Sequence, residues 1–172
     1  MKRLFCIISL ALMAIVSCQK QEVDYSGPVK LYREGDSSYV MPFDQPSITS
    51  RSAQRTGEYI LLGYFQDVDR INEAFIFEVS WPYSGPLHEG EIITPKTVGF
   101  SNPVGVGDLG YTRSIERGIL RYMGEKDGKA LFRFEDLTFK VTRRDGSGRT
   151  DIYYARGTAE ADQWLSGSSD QL

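Results

Sequence analysis

Apolar and polar residues alternate with a period of two along most of the chain after residue 28. In the segment 75–81, Phe75, Phe77, Val79 and Trp81 are separated by Ile76, Glu78 and Ser80. Successive side chains of a strand point to opposite faces, so this pattern predicts a strand with one buried face. The same period, with many aromatic and β-branched residues, recurs in the segments 29–32, 39–43, 58–65, 91–94, 111–123, 130–142 and 151–158.

The segment 130–142 departs from this pattern at one point, because the parity of its apolar residues changes between Phe134 and Leu137. One extra residue restores the buried face, so we predict a β-bulge at Glu135 and Asp136. Two strands that meet at a corner are the alternative. The short connections favour sequential pairing. The sequence therefore predicts an all-β fold, a single antiparallel meander domain that forms a β-sandwich or a small calycin-like barrel.

Four segments are predicted to lie outside this strand pattern. The segment 69–74 is long enough for one helical turn, and 159–165, which carries Trp164, is predicted to be a short C-terminal helix. The polar segment 45–56 is predicted to be a long loop, and the tail 166–172 is predicted to be disordered. The all-β domain is thus expected to span residues 29–165.

The amino-terminal residues have the pattern of an export signal. Lys2 and Arg3 precede an apolar stretch over 4–16, which at about 13 residues is shorter than the roughly 20 that a transmembrane helix needs. Ile15-Val16-Ser17-Cys18 resembles the lipobox of bacterial lipoproteins. The resemblance implies cleavage before Cys18, diacylation of its thiol and acylation of the new amino terminus. An ordinary secretory leader with a chance cysteine is the alternative.

The residues after Cys18 extend this resemblance. Gln19-Lys20-Gln21-Glu22 partly matches the surface-export signal of lipoproteins in the Bacteroides group, although Gln21 stands where an acid is typical. With its strand pattern, the chain resembles the small all-β lipoproteins of that group. The resemblance implies a signal peptide over 1–17, a lipidated tether over 18–28 and a lipid anchor in the outer membrane. It favours surface exposure over a periplasm-facing position.

Composition narrows the function classes. Of 172 residues, 41% are hydrophobic and 25% charged, as in ordinary globular proteins. Removal of residues 1–17 takes away Lys2, Arg3 and Cys6, so the mature chain has 155 residues, 18 basic and 23 acidic groups, a net charge of −5, and one cysteine. That balance gives no support for nucleic acid as a partner. A single cysteine, already lipidated, leaves none for a disulfide within the domain.

No catalytic, metal or cofactor site emerges from the sequence. His88 is the only histidine and lies in a turn-like stretch, so a serine or cysteine nucleophile would depend on that one side chain. Asp67, Asp69 and Glu73 have oxygen-ligand spacing but lack the glycine of a calcium loop, and a solvated loop is the better interpretation. We therefore expect a non-enzymatic binding or accessory module. A calycin-like carrier of a small apolar ligand and a carboxylate-dependent hydrolase are the alternatives.

Two features are candidates for ligand binding. Tyr83 follows the predicted strand in a Pro- and Gly-rich stretch, where an exposed ring could stack on a sugar, whereas Trp81 has the parity of a core residue. Residues 111–156 carry eleven basic and seven acidic groups, which favours a cationic face for an anionic glycan or lipopolysaccharide phosphate. Cross-strand ion pairs with Glu116, Glu135 and Asp151 are the alternative. The candidate arginines are Arg113, Arg117, Arg121 and Arg143.

Overall fold

The computed structural model describes residues 23–51, 57–66, 74–101, 115–142 and 147–165. Within these residues the chain forms nine strands and no helix, so the predicted all-β fold is confirmed. The strands are β1 (Lys30–Arg33), β2 (Asp36–Arg51), β3 (Glu58–Phe65), β4 (Phe75–Pro82), β5 (Ile92–Ile93), β6 (Thr97–Ser101), β7 (Arg117–Lys126), β8 (Lys129–Thr142) and β9 (Thr150–Leu165).

All nine strands belong to one sheet with the order β5-β7-β8-β9-β1-β2-β3-β4-β6. Two antiparallel meanders, β1 to β4 and β7 to β9, are joined because β9 also pairs with β1. The far end of β2 makes one additional, parallel pairing with β9 at Ser47 and Asp162. In the described part of the chain, β5 and β6 each pair with a single neighbour, so the sheet is not closed into a barrel.

The sheet folds over itself so that β4 faces β8 across an aromatic core. The ring of Phe77 lies 5.8 Å from that of Phe134 and 5.9 Å from that of Phe139, and the ring of Trp81 lies 6.1 Å from that of Phe132. Trp81 is buried, as its parity predicted. This face-to-face packing of two halves is that of a β-sandwich.

The predicted bulge is present in β8. Phe134 lies opposite Gly157 of β9 and Leu137 lies opposite Ala155, so two residues of β8 stand against a single residue of β9. Asp136 takes a φ of 52°, a left-handed conformation that aspartate adopts more readily than most residues. As the prediction required, one buried face holds Phe132, Phe134, Leu137 and Phe139.

The prediction of a C-terminal helix over 159–165 is wrong, because β9 continues to Leu165. Alanine favours a helix, but Ala159 and Ala161 are both buried and lie opposite Phe132 and Ala130 of β8. Pairing with β8 therefore outweighs the intrinsic helix propensity of these alanines.

The predicted loop over 45–56 is wrong in its first part, because β2 runs to Arg51. An irregularity between Asp44 and Ser47, with Gln45 at a φ of 48°, carries the strand past Pro46. The remainder of that loop over 52–56, residues 69–73 of the predicted helical turn, the predicted signal peptide over 1–17 and the tail over 166–172 lie outside the described residues. The strand β6 was not predicted.

Candidate binding groove beside the β8 bulge

A groove of about 730 Å³ lies on the outward surface beside the bulge, and we call it the bulge groove. Four parts of the sheet meet there: the β1–β2 turn, the beginning of β7, the bulge of β8 and the middle of β9. The side chains that define the groove are Tyr32, Arg33, Glu34, Asp36, Arg117, Asp136, Tyr154 and Arg156.

Two tyrosines from adjacent strands form an aromatic pair in the groove. Tyr32 of β1 lies directly opposite Tyr154 of β9, and their rings stack with centroids 5.1 Å apart and planes 13° apart. Both side chains are half-buried, and the guanidinium of Arg156 lies 5.7 Å from the centre of the Tyr154 ring. The pair places apolar ring surface and two hydroxyl groups in the lining of the groove.

Asp136 organises the wall formed by the bulge. Its Oδ1 accepts a hydrogen bond of 2.6 Å from Nε of Arg156, and its Oδ2 accepts one of 3.2 Å from the hydroxyl of Tyr25. The hydrogen bond to Asp136 raises the pKa of Arg156, while partial burial and the Asp136 carboxylate raise the pKa of Tyr25. Because the bulge turns Asp136 outward, one carboxylate links three segments of the chain.

The β1–β2 turn forms the opposite wall. Arg33 makes an ion pair with Asp36, and its guanidinium lies 4.4 Å from the centre of the Tyr39 ring. The hydroxyl and the backbone N–H of Ser38 also donate to Asp36, at 2.6 and 3.1 Å. Hydrogen bonds from Ser38 and Arg33 lower the pKa of Asp36 to about 2. The carboxylate of Asp36 therefore stays ionised at neutral pH.

Arg117 connects these two walls. Its Nη2 lies 3.2 Å from Oε1 of Glu34, and its Nε donates to the hydroxyl of Thr138 at 3.2 Å. The next residue, Gly118, has a φ of 86° and lies so close to the bulge that a Cβ would overlap the carbonyl oxygen of Asp136. Glycine at 118 thus permits β7 to approach the bulge.

The charges of the groove cancel in pairs. Each of its three guanidinium groups contacts a carboxylate, in the pairs Arg33 with Asp36, Arg117 with Glu34, and Arg156 with Asp136. The groove is therefore strongly polar but carries no excess of positive charge. This favours a ligand that both donates and accepts hydrogen bonds.

The structure separates the two candidate arginines that it describes. Arg117 lines the groove, whereas Arg121 points to the other side of the bulge, where its Nε donates to Glu135 at 2.9 Å and its Nη1 donates to the carbonyl of Gly90 at 3.0 Å. Cross-strand ion pairs of the kind anticipated are present at Arg121–Glu135 and Lys140–Glu116, whereas Asp151 pairs with Arg149, two residues before it on the same segment of the chain. The positions of Cys18, Arg113 and Arg143 fall outside the described residues.

Tyr83 does not line the bulge groove. Its side chain is 49% exposed at the end of β4, and its ring lies 5.0 Å from that of Tyr59, which in turn stacks on Trp81 at 5.5 Å. The structure therefore places Tyr83 at the end of an aromatic row that begins in the core.

Sequence reasoning missed most of the groove. Tyr32, Glu34, Asp36 and Tyr154 carry no local signal that marks them as binding residues, and Asp136 stands out only for its effect on strand parity. The predicted bulge was the one available signal, because bulges redirect side chains and are common beside functional sites.

No group of three or more potential metal ligands occurs among the described residues. The described part also contains no helix with the length and apolar character needed to cross a bilayer. Comparison with known proteins finds no matching family model, no similar curated protein and no similar solved structure.

Proposed function

We propose that this chain is a lipid-anchored, non-enzymatic module of a bacterial outer membrane, displayed on the cell surface, and that its bulge groove binds a glycan. The observation that carries the proposal is the stacked pair Tyr32 and Tyr154 set among charge-neutralised guanidinium and carboxylate groups. The lipobox-like Ile15-Val16-Ser17-Cys18 supports the anchor.

A glycan suits both kinds of surface in the groove. Sugar rings have apolar C–H faces that stack on aromatic rings, and hydroxyl groups that both donate and accept hydrogen bonds. Arginine side chains supply donors to those hydroxyls, and carboxylates supply acceptors. A polyanion would gain little from the summed field of the groove, since its three cationic side chains are matched by Glu34, Asp36 and Asp136.

The interior of the fold gives less support to a carrier of an apolar ligand. The space between the two halves holds fully buried aromatic rings in mutual contact, including Phe77, Phe134 and Phe139. A carrier would need a cavity in that space. Hydrolysis of a glycoside needs one carboxyl group that stays protonated and a second that is ionised, and the pKa of Asp36, lowered to about 2, excludes it from the first of these roles.

The groove is tested by replacing one ring and measuring glycan binding. We expect Tyr32→Ala to weaken binding about tenfold or more, because loss of stacking costs roughly 1.4 kcal/mol or more. The assay uses the Cys18→Ser chain on a glycan array, followed by calorimetry with any retained glycan.

Tyr64→Ala is the matched control, because Tyr64 is another half-buried tyrosine that points outward from a strand, on β3. It should leave binding unchanged. Equal losses in the two variants, or an array on which the parent chain retains no glycan, would contradict the proposal.

The anchor is tested separately with Cys18→Ser. We expect the unchanged chain to enter the detergent phase after phase separation and the variant to remain in the aqueous phase, because several acyl chains exceed what stable anchoring needs. Protease treatment of intact cells should also remove the domain. A variant that partitions like the unchanged chain would refute lipidation at Cys18.

A further inference from the structure

The segment before β1 is attached to the outer surface of the domain. The backbone N–H of Thr158 donates to the carbonyl of Gly27 at 2.7 Å, and its hydroxyl donates to the carbonyl of Tyr25 at 2.8 Å. Pro28 forms a bridge with the same threonine. These contacts fix where the tether leaves the domain, which is across β9 and next to the bulge.

Gly157 makes this attachment sterically feasible. A Cβ at position 157 would lie 2.6 Å from the carbonyl oxygen of Pro28 and 2.7 Å from that of Gly27. Any other residue would therefore push the tether away from β9.

Asp136, in the wall of the bulge groove, also holds the tether. Asp136 accepts from the Tyr25 hydroxyl with one carboxylate oxygen and from Arg156 of the groove with the other. The tether therefore runs directly beside the wall of the groove.

The part of the tether between Cys18 and the first described residue is short. Five peptide units separate Cys18 from Val23, the first described residue. Even fully extended, they span at most about 18 Å. An acylated Cys18 would thus hold this side of the domain close to the headgroup layer.

We propose that the bulge groove faces the bilayer in which Cys18 is anchored, and that its ligand is the sugar headgroup of a glycolipid in that bilayer. This rests on the proposed function, both for acylation of Cys18 and for glycan binding. A headgroup held in the same membrane reaches the groove at a high effective concentration, so modest contacts are sufficient for occupancy. A polysaccharide in solution lacks that advantage.

The orientation is tested with spin labels on the acylated full chain in vesicles of phosphatidylethanolamine that contain a nickel-chelating lipid. Since acylation consumes Cys18 and Cys6 leaves with the leader, a new cysteine is the only free thiol. Ser37→Cys places the label at the exposed rim of the groove, and Glu78→Cys places it on the outward face of β4 in the opposite half.

We expect nickel to broaden the Ser37 label strongly and the Glu78 label much less. Equal broadening of both labels, or stronger broadening at Glu78, would overturn the orientation. If the protein does not remain on the vesicles, the anchor of the proposed function has failed, and the inference fails with it.

The ligand class is tested with two forms of the same sugar. Vesicles that contain lipopolysaccharide are compared with the polysaccharide released from that preparation by mild acid. We expect the vesicle-bound protein to crosslink to lipopolysaccharide through a photoreactive group at Ser37→Cys, and this crosslinking to fall at least tenfold in Tyr32→Ala but not in Tyr64→Ala.

An excess of released polysaccharide should compete only weakly. Equal preference for the released and the membrane form would overturn the inference and leave glycan binding intact. If neither form binds, both the inference and glycan binding by this groove are refuted for this sugar chemistry.

Discussion

The bulge groove and the loop that carries Tyr83 both present tyrosine rings at the surface, yet their surroundings differ. Tyr83 ends a row of rings that continues into the core through Tyr59, and its exposed side leads to solvent. Tyr32 and Tyr154 lie on a pleated surface flanked by a turn and a bulge, and both walls carry charged groups. Exposed aromatic surface becomes a candidate site here only where irregular backbone makes the surface concave.

The same comparison applies to two arginines on one strand. Arg117 and Arg121 are four residues apart and share a face of β7, but the bulge in β8 lies between their partners. Arg117 faces Thr138 and Glu34 inside the groove, whereas Arg121 is held by Glu135 and the Gly90 carbonyl outside it. The partners that a charged side chain on a strand finds therefore depend on the register between its strand and the neighbouring strand.

Of the substitutions that test this comparison, Gly118→Ala should change the free energy of unfolding the most. Its φ of 86° is unfavourable for alanine, and the added Cβ would overlap the carbonyl of Asp136 and lie 2.7 Å from that of Glu135. We expect a loss of more than about 3 kcal/mol in the free energy of unfolding, measured with denaturant, from strain and displacement of the bulge.

Gly128→Ala is the matched control. Gly128 also has a positive φ, of 78°, but nothing lies within 4 Å of the position that a Cβ would occupy. It should cost only about 1–2 kcal/mol, which is the backbone term alone. If the two variants lose the same free energy of unfolding, close approach of β7 to the bulge is not what requires glycine at 118.

Local patterns made part of this architecture predictable. The parity change between Phe134 and Leu137 identified the bulge, because a period of two leaves no other way to keep both residues buried in one strand. The alternating segments 29–32 and 39–43 were predicted to be strands, and they lie in the antiparallel pair of β1 and β2. Strand assignment failed at Ala159 and Ala161, where intrinsic propensity was given more weight than the strand β8 opposite.

The groove itself was not predictable, because it depends on distant pairing. Tyr32 and Tyr154 are 122 positions apart and meet only because β1 pairs with β9. Nothing near either residue indicates that pairing. Arg117 was a candidate because basic residues are in excess over 111–156, but its partner Glu34 comes from the β1–β2 turn. Local periodicity gives the face of a side chain and leaves its long-range neighbours open.

Substitutions of Arg117 and Arg121 should differ in their effect on glycan binding. We expect Arg117→Gln to weaken binding of a glycan retained by the array severalfold, and Arg121→Gln to leave it unchanged, as measured by calorimetry. Arg117→Gln should change the free energy of unfolding by only about 0–1 kcal/mol, because its ion pair with Glu34 is exposed. A steep salt dependence of binding that both variants reduce would instead favour an anionic ligand spread over the whole arginine face.

The smallest expected effect concerns the pH at which the carboxyl group of Asp36, in one wall of the groove, takes up its proton. Asp36 has its pKa lowered to about 2 by hydrogen bonds from Ser38 and from Arg33. A lowered pKa in the folded state means that ionisation favours folding. This contribution is complete above the ordinary value near 3.8 and is lost as the pH falls from about 4 to about 2.

The carboxyl carbon of Asp36 should therefore titrate near pH 2 in an NMR experiment. Ser38→Ala should raise that midpoint toward the ordinary value, because it removes the hydroxyl that contributes most. A midpoint near 4 in the unchanged chain would show that the β1–β2 turn is not organised around this carboxylate, and one wall of the groove would then lack the order that distinguishes it from the Tyr83 loop.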